Sequence, residues 1–529
     1  MSACISPQKG RIMTWKRVFL SVVTISLAIS CPARGTEISY GLEDVGGGQW
    51  IYRYTVTNDT LSEPVRQFIL WFEPGLYENL SVVSDPNMDS DWYQDTVEPD
   101  QVWLFYGAYR ALAWSDGIAV GDYESGFAVR FTYLGVGAPV FQEFDIVDPN
   151  EYISLEAGWT LAVYWVDAAA AGNPDQNGTR SKPFETIQAG IDAAIDGYTV
   201  RVLPGLYEES IDFLGKAITV KSYGATMDDP AIISGTGNNA VKFYNGETSD
   251  SIIEGFIITS SSGRRGINCL YESSPTIRNN VIVGCGSDDS YESEGTAIRV
   301  ASECDPIIIC NTITGNYGSK WSEKAVSIDN REVSFDGIIS HCIIYGNSAD
   351  LLNRGPGFLE PGRIRYCDIG NINDNGKWLE GAEVDEYGNF KSSPLFVNQS
   401  RGSAVYEGNY RISDGSPCLN AGDPNFVPWE GATDFDNQGR IISGRVDVGV
   451  DEVAPNARVI RPSAGEVWAV GSIREIEWYS FGIGNVDIYY SVNNGGDWSL
   501  IEADISNMGT YDWQLPSADS DQCRVWVAA

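Results

Sequence analysis

The chain has 529 residues, 43% of them apolar, with 56 Gly, 16 Trp, 27 Tyr and only 5 Met. More than one domain is expected, and the mixture suits an all-β exterior protein better than a helical one. Against 35 basic side chains stand 72 acidic ones, a formal net charge of −37. This excludes nucleic acid and anionic membranes as partners and would repel an anionic polysaccharide unless a divalent cation bridged the two.

Residues 1–35 read as a signal peptide: Lys9, Arg11, Lys16 and Arg17 precede an apolar run from Val18 to Ser30, which is short for a membrane span. Ala28-Ile29-Ser30 supplies a cleavage site, and Cys31 adds a lipoprotein reading. No later segment spans a membrane, so a secreted or cell-surface location is expected. Residues 36–160 alternate apolar and polar side chains in strand-like runs such as Trp50 to Val56 and Phe68 to Phe72, separated by turn clusters such as Gly46-Gly47-Gly48. The pattern predicts an antiparallel β-sandwich. Its tryptophans (Trp50, Trp71, Trp92, Trp103, Trp114, Trp159) are expected mainly in the sandwich core, the other reading being an exposed row that stacks on sugar rings.

Residues 164–452 behave differently. Pro183 to Asp196 reads as an amphipathic helix with Ile187, Ile191, Ala194 and Ile195 on one face, placed to plug a solenoid end. Short apolar strands then recur every 25 to 31 residues: Ile253 to Ile258, Arg278 to Val283, Ile309 to Thr314, Ser340 to Ile344 and Arg365 to Ile369. A coil of this length cannot bury its own apolar face, whereas stacked coils make one continuous core. Aligning the repeats sets Gly255, Asn280, Asn311, His341 and Tyr366 as equivalents. Asn280 and Asn311 then form an internal amide ladder with His341, the one histidine, on the next rung. A Ser-His-Asp triad, Cys-His pair or His-rich zinc site would have to use that His341 alone, so chemistry is expected from Asp, Glu, Lys, Arg or Tyr. Cys342 and Cys367 fall in register as a thiol pair or a disulfide. No CxxC or Cys/His metal spacing occurs.

The opening stretch Tyr164 to Ser222, with Pro183-Phe184-Glu185-Thr186-Ile187-Gln188 and Val202-Leu203-Pro204-Gly205-Leu206-Tyr207, resembles the start of pectate-lyase-like right-handed parallel β-helix proteins. Ser416 to Asp423, Asp434-Phe435-Asp436 and Arg445 to Gly449 resemble the closing module of exported bacterial proteins of that kind. Residues 455–529 resemble a bacterial immunoglobulin-like module. The resemblance implies an all-β fold: a right-handed parallel β-helix with an N-terminal capping helix, flanked by β-sandwich domains, acting on or binding carbohydrate.

The segments after equivalent strands should stack along one edge of the solenoid. They bring together Arg264 and Arg265, then Asp288, Asp289, Glu292 and Glu294 with Tyr291, then Lys320, Trp321, Glu323 and Lys324, then Asp350 and Arg354. A polysaccharide lyase needs a neutralised uronate carboxylate and a base. Asp288, Asp289 and Glu292 could hold Ca²⁺, Lys320 or Arg265 could be the base, and Trp321, Tyr291, Arg264 and Lys324 could contact substrate. Asp175 and Asn177, in the loop Asn173 to Gly178, form a second candidate calcium site or a plain turn. The expected function is an exported, monomeric protein that engages extracellular polysaccharide, in its sharpest form a calcium-assisted lyase. The alternatives are a non-catalytic cell-surface glycan-binding or adhesion protein, and a carboxylate-based glycoside hydrolase.

Overall fold

The structure is a computed structural model. It describes residues 36–529 except 60, 261–263, 287–296, 318–324, 330–334, 348–349, 354–361, 371, 375–376, 379–384, 400–406, 443, 454–455, 464–465, 482–483, 494–496, 518–519, 521 and 529. The regular elements of the described residues are nearly all strands, and no helix among them is long and apolar enough to cross a membrane.

Short strands stack in parallel, coil on coil, into three sheets. In the first, Val200, Val220, Ile253, Ile277, Ile308, Ile339 and Ile364 stand in register. The second is seven-stranded, from Gly205–Tyr207 to Asp368–Ile369. The third has Val241, Ile267, Ile298, Val326 and Leu351 in register. All these aliphatic side chains are buried, so the recurring apolar strands produce the stacked core of a parallel β-solenoid.

The corner between the first and second sheets corrects the repeat alignment. Gly255, Asn279, Cys310, His341 and Tyr366 share the left-handed backbone conformation there, with φ between 50° and 84°. Asn280 and Asn311 therefore lie one residue inside the corner, and His341 is a corner residue rather than a ladder rung. The ladder itself runs through the residues that follow. Phe256 N donates to Asn280 Oδ1 at 3.1 Å and Asn280 N to Asn311 Oδ1 at 3.0 Å. Asn311 N then donates to Cys342 Sγ at 3.5 Å, Cys342 N to Cys367 Sγ at 3.5 Å and Cys367 N to Asn389 Oδ1 at 3.1 Å. Both cysteines are free thiols. Each substitutes for an asparagine because a thiol, like an amide, accepts a backbone N–H while donating to a carbonyl. A second ladder joins Cys285, Asn316, Asn347 and Asp350.

The helix is shorter than the amphipathic pattern, Ile187–Ala193, with Ile187, Ile191 and Ala194 buried and Ile195 exposed. Thr186 Oγ1 and the Glu209 carboxylate accept its first N–H groups, and Lys216 Nζ donates to the carbonyls of Ile191, Asp192 and Ala194. Both ends are thus satisfied.

The N-terminal region is a pair of packed sheets. One, of strands Glu37–Gly46, Gln49–Thr57, Tyr123–Tyr133 and Tyr77–Val82, joins edge to edge with the first solenoid sheet through Leu161–Val166. The other, of five strands, packs on it through Phe68, Leu70, Phe72, Trp92, Tyr109 and Phe144. Residues 456–528 form two three-stranded antiparallel sheets around Ile476, Trp478, Val486, Ile488 and Val527.

Residues 409–452 lie across the outer face of the second solenoid sheet. Tyr410, Phe435 and Val450 cover Ile232, Ile257, Val281 and Val283, while Ile412 and Val448 pack with Ile343. Gly449 (φ 109°) is required at the closest approach, since a Cβ there would stand 2.7 Å from Ile343. The segment braces itself with buried carboxyls. Asp434 accepts from the backbone N–H of Asp436, Gln438 and Glu452, Asp447 from Asn420 and Val453, and Asp451 from Ile412. Burial raises Asp434 to about 6 and Asp451 to about 7, and raises Glu452 further still.

Each folded value lies above the unfolded one. The stabilisation from these groups is complete below the unfolded pKa and is lost as pH rises through the folded one. His341, held neutral by burial at about 3, works in the opposite sense but only below about 6.5. Between pH 6.5 and 8.5 the melting temperature should therefore fall. Asp451→Asn should flatten that fall in a scanning fluorimetry series, and a melting temperature that rises over this window would contradict the protonated brace.

Candidate functional site

The solenoid core is filled, so a ligand can meet only an outer face. That of the second sheet is covered by residues 409–452. On the first sheet the outer face is tied up in structure. Lys221 and Arg278 flank Glu254 at 2.6 and 2.7 Å and, although burial opposes its charge, hold that carboxyl below the usual range. The Arg278 guanidinium also stacks 4.5 Å from the Trp429 ring centroid.

The third sheet presents a polar row. Asp212, Lys242, Asn268, Arg299 and Ser327 stand in register on successive coils, about 4.8 Å apart. They lie on this face because they alternate with the inward Val241, Ile267, Ile298 and Val326. Lys242 Nζ lies 3.9 Å from Asp212. Beside the row, Tyr244 and Tyr271 meet edge to face at 5.9 Å, and Tyr271 is exposed.

The Tyr244 hydroxyl accepts amide N–H bonds from Asn239 at 3.1 Å and Asn268 at 2.7 Å, and Asn268 also donates to Asn239 Oδ1 at 2.9 Å. Two acceptor positions are therefore used and the phenol proton remains to be donated. Burial raises the Tyr244 pKa overall, with the nearby Arg265 and Arg299 charges pulling the other way. At neutral pH the group is a hydrogen-bond donor. The buried Oδ1 of Asn268 has no hydrogen-bond partner.

Of the residues singled out from sequence, Arg265 opens the strand Arg265–Cys269 on this sheet, opposite Asn239, and is 7% exposed. Arg264 precedes it and is exposed. The structure thus brings Arg265 to the same face as Lys242, Arg299 and Tyr244. Asp288, Asp289, Tyr291, Glu292, Glu294, Lys320, Trp321, Glu323, Lys324 and Arg354 lie outside the described residues.

Asp175 and Asn177 fall in a self-bonded loop. Asn173 Oδ1 accepts Asp175 N at 3.0 Å, and Asn177 Oδ1 accepts both the N–H and the hydroxyl of Thr179, at 3.1 and 2.7 Å. Among the described residues no group of three His, Cys, Asp or Glu side chains is arranged to hold a metal ion. Sequence reasoning missed Lys242, Tyr244, Asn268 and Arg299. Only the coil-on-coil register places them side by side, although alternation within Asn239–Phe243 and Ile298–Ala301 marks Lys242 and Arg299 as outward.

His341 belongs to none of this. It is buried, its Nε2 accepts Asp423 N at 3.0 Å, and its ring lies against Tyr366 and Phe426. It fixes residues 420–426 to the solenoid corner.

No known family model and no curated protein matches the chain. Among solved structures, pectate lyase Pel9A is similar at 13% identity and a TM-score of 0.25, over 55% of this chain and 96% of that one.

Proposed function

We propose that the chain is an exported protein that engages an anionic polysaccharide along the outer face of the third solenoid sheet. The observation that carries this is the gathering of Lys242, Arg265 and Arg299 with the donor Tyr244 on one face of a chain whose net charge is −37. Such a face draws carboxylates to a molecule that otherwise repels them. A linear polymer laid along the solenoid axis would meet Lys242 and Arg299, two coils apart, with the exposed Tyr271 beside them.

The enzymatic version is a calcium-assisted lyase. Asp288, Asp289 and Glu292 would hold the ion near the uronate carboxylate, and Lys320 or Arg265 would take the proton. In the Asp175–Asn177 loop the Asn173 and Asn177 side chains serve the loop's own N–H and hydroxyl groups, which fits a turn better than an ion.

The test is native electrophoresis of the whole exported chain through gels carrying polyuronates, with calcium and with chelator, while absorbance of unsaturated products is followed. Retardation that weakens with salt is expected, and Arg299→Ala should weaken it about tenfold. A calcium-dependent rise in absorbance identifies the lyase, whereas retardation with a flat trace identifies the non-catalytic binding protein. Free migration through every polyuronate removes the proposal.

A further inference from the structure

Three of the sandwich tryptophans expected in the core are exposed, at 73% (Trp103), 63% (Trp114) and 58% (Trp159). Trp92 is buried, and Trp50 and Trp71 are half-buried. The places of Trp71 and Trp159 follow from the five-stranded sheet. Its inner face is the aromatic core. Its outer face carries the alternate residues, and these pair in two adjacent rows. One row runs Asp95, Arg110, Ile69, Asp145, Ala157 across all five strands. The neighbouring row pairs Val97 and Trp71 with Ala108 and continues, one step beyond Leu70–Phe144, through Glu143 to Trp159. Trp71 and Trp159 are thus two strands apart, about 10 Å.

The polar groups between these rings are held in place. Arg110 grips Asp95 in a two-pronged pair, with Nε to Oδ1 at 2.8 Å. Asp145 accepts the Trp71 indole N–H at 2.6 Å and the Ser154 hydroxyl at 3.0 Å. Phe141, 54% exposed, meets Trp159 edge to face at 5.3 Å. Burial raises the Tyr106 phenol, and the Glu73 and Glu143 charges raise it further.

We infer that this face binds a neutral polysaccharide: the Trp71–Glu143–Trp159 row takes the sugar rings, and Asp145 with the Arg110–Asp95 pair takes their hydroxyls. A pyranose ring has an apolar C–H face that packs on an aromatic ring and a rim of hydroxyls that needs fixed donors and acceptors. Rings alternating with oriented carboxylate and guanidinium groups match both. A protein partner fits less well, because the centres of protein interfaces are depleted of charge, whereas here a charged pair and Asp145 lie mid-face. Polyanions and anionic membranes are repelled by Glu143 and Asp145 and by the chain as a whole. The ligand therefore differs in charge from the one proposed for the solenoid face, and the two readings stand or fall separately.

The whole exported chain would be run through native gels containing β-glucan, galactomannan or hydroxyethylcellulose. Retardation is expected in at least one. Trp159→Ala should weaken it about tenfold or more. Phe141→Ala, which removes only a supporting ring, should weaken it less, and Arg299→Ala on the solenoid face should leave it unchanged. Sedimentation of wild type and Trp159→Ala would be measured alongside. Free migration of wild type in all three gels overturns the inference. So does unchanged retardation of Trp159→Ala, or a wild-type dimer that Trp159→Ala converts to a monomer, since the face would then hold a second copy of the chain.

Discussion

Arg440→Leu should destabilise the protein by about 3–5 kcal/mol, since it leaves two buried acceptors without a donor and each costs about 1–3 kcal/mol. The Arg440 side chain is fully buried. Its guanidinium donates to the Gly449 carbonyl, stands 3.6 Å from Glu452 Oε1 and sets its charge near Cys310 on the solenoid corner. It therefore ties residues 409–452 both to themselves and to the coils they cover. Leucine would leave the carbonyl and the Glu452 carboxyl without their donor in a site water does not reach. Glu452→Gln is the contrasting case. Burial already raises that carboxyl above the usual range, so losing its charge should cost within about 1 kcal/mol. Urea denaturation gives both values, and hydrogen exchange should show the Arg440→Leu loss concentrated in residues 409–452 and 310–313. Equal costs for the two substitutions would mean that the contact with Glu452, rather than the guanidinium's bond to Gly449, supplies the effect.

Asn311→Leu should cost about 3–5 kcal/mol through the ladder, since each unsatisfied buried polar group costs about 1–3 kcal/mol. Asn311 is wholly buried and saturated. Its Oδ1 accepts from Asn280 N at 3.0 Å and Nδ2 at 3.2 Å, and its Nδ2 donates to Ile277 O at 2.8 Å and Ile309 O at 3.0 Å. Leucine keeps the volume and deletes every one of these bonds. Cys342→Ser, one rung on, should cost only about 1 kcal/mol. A hydroxyl can still donate where the thiol does, to Ser340 O at 3.2 Å, and accept from Asn311 N. Denaturation midpoints for the pair measure the difference. A loss under about 1 kcal/mol for Asn311→Leu would show that the stacked apolar core alone holds these coils.

Sequence by itself determined the solenoid. Apolar strands returning every 25 to 31 residues have no way to bury Ile253, Ile277, Ile308 and Ile339 except by stacking. It also marked Asn280 and Asn311 as ladder residues and read alternation in Phe68 to Phe72 as a strand of a sandwich, because each of those signals is local. The alignment slipped by one residue at the corner, where Asn279 and Cys310 rather than Asn280 and Asn311 match His341. Side-chain identity did not reveal the slip, since the left-handed turn is a backbone property that Asn, Cys, His and Tyr all adopt here.

Only the tertiary structure decided which face is open. Nothing in the residues 409–452 announces that they cover the second sheet, because that contact depends on Phe435, Val448 and Val450 meeting strands more than a hundred residues earlier. Register across coils likewise set Lys242 beside Asn268 and Arg299, and register across strands set Trp71 in line with Trp159. A single strand records which of its residues point outward. Its neighbours are chosen by packing between strands far apart in sequence, and that choice assembles the two candidate glycan surfaces.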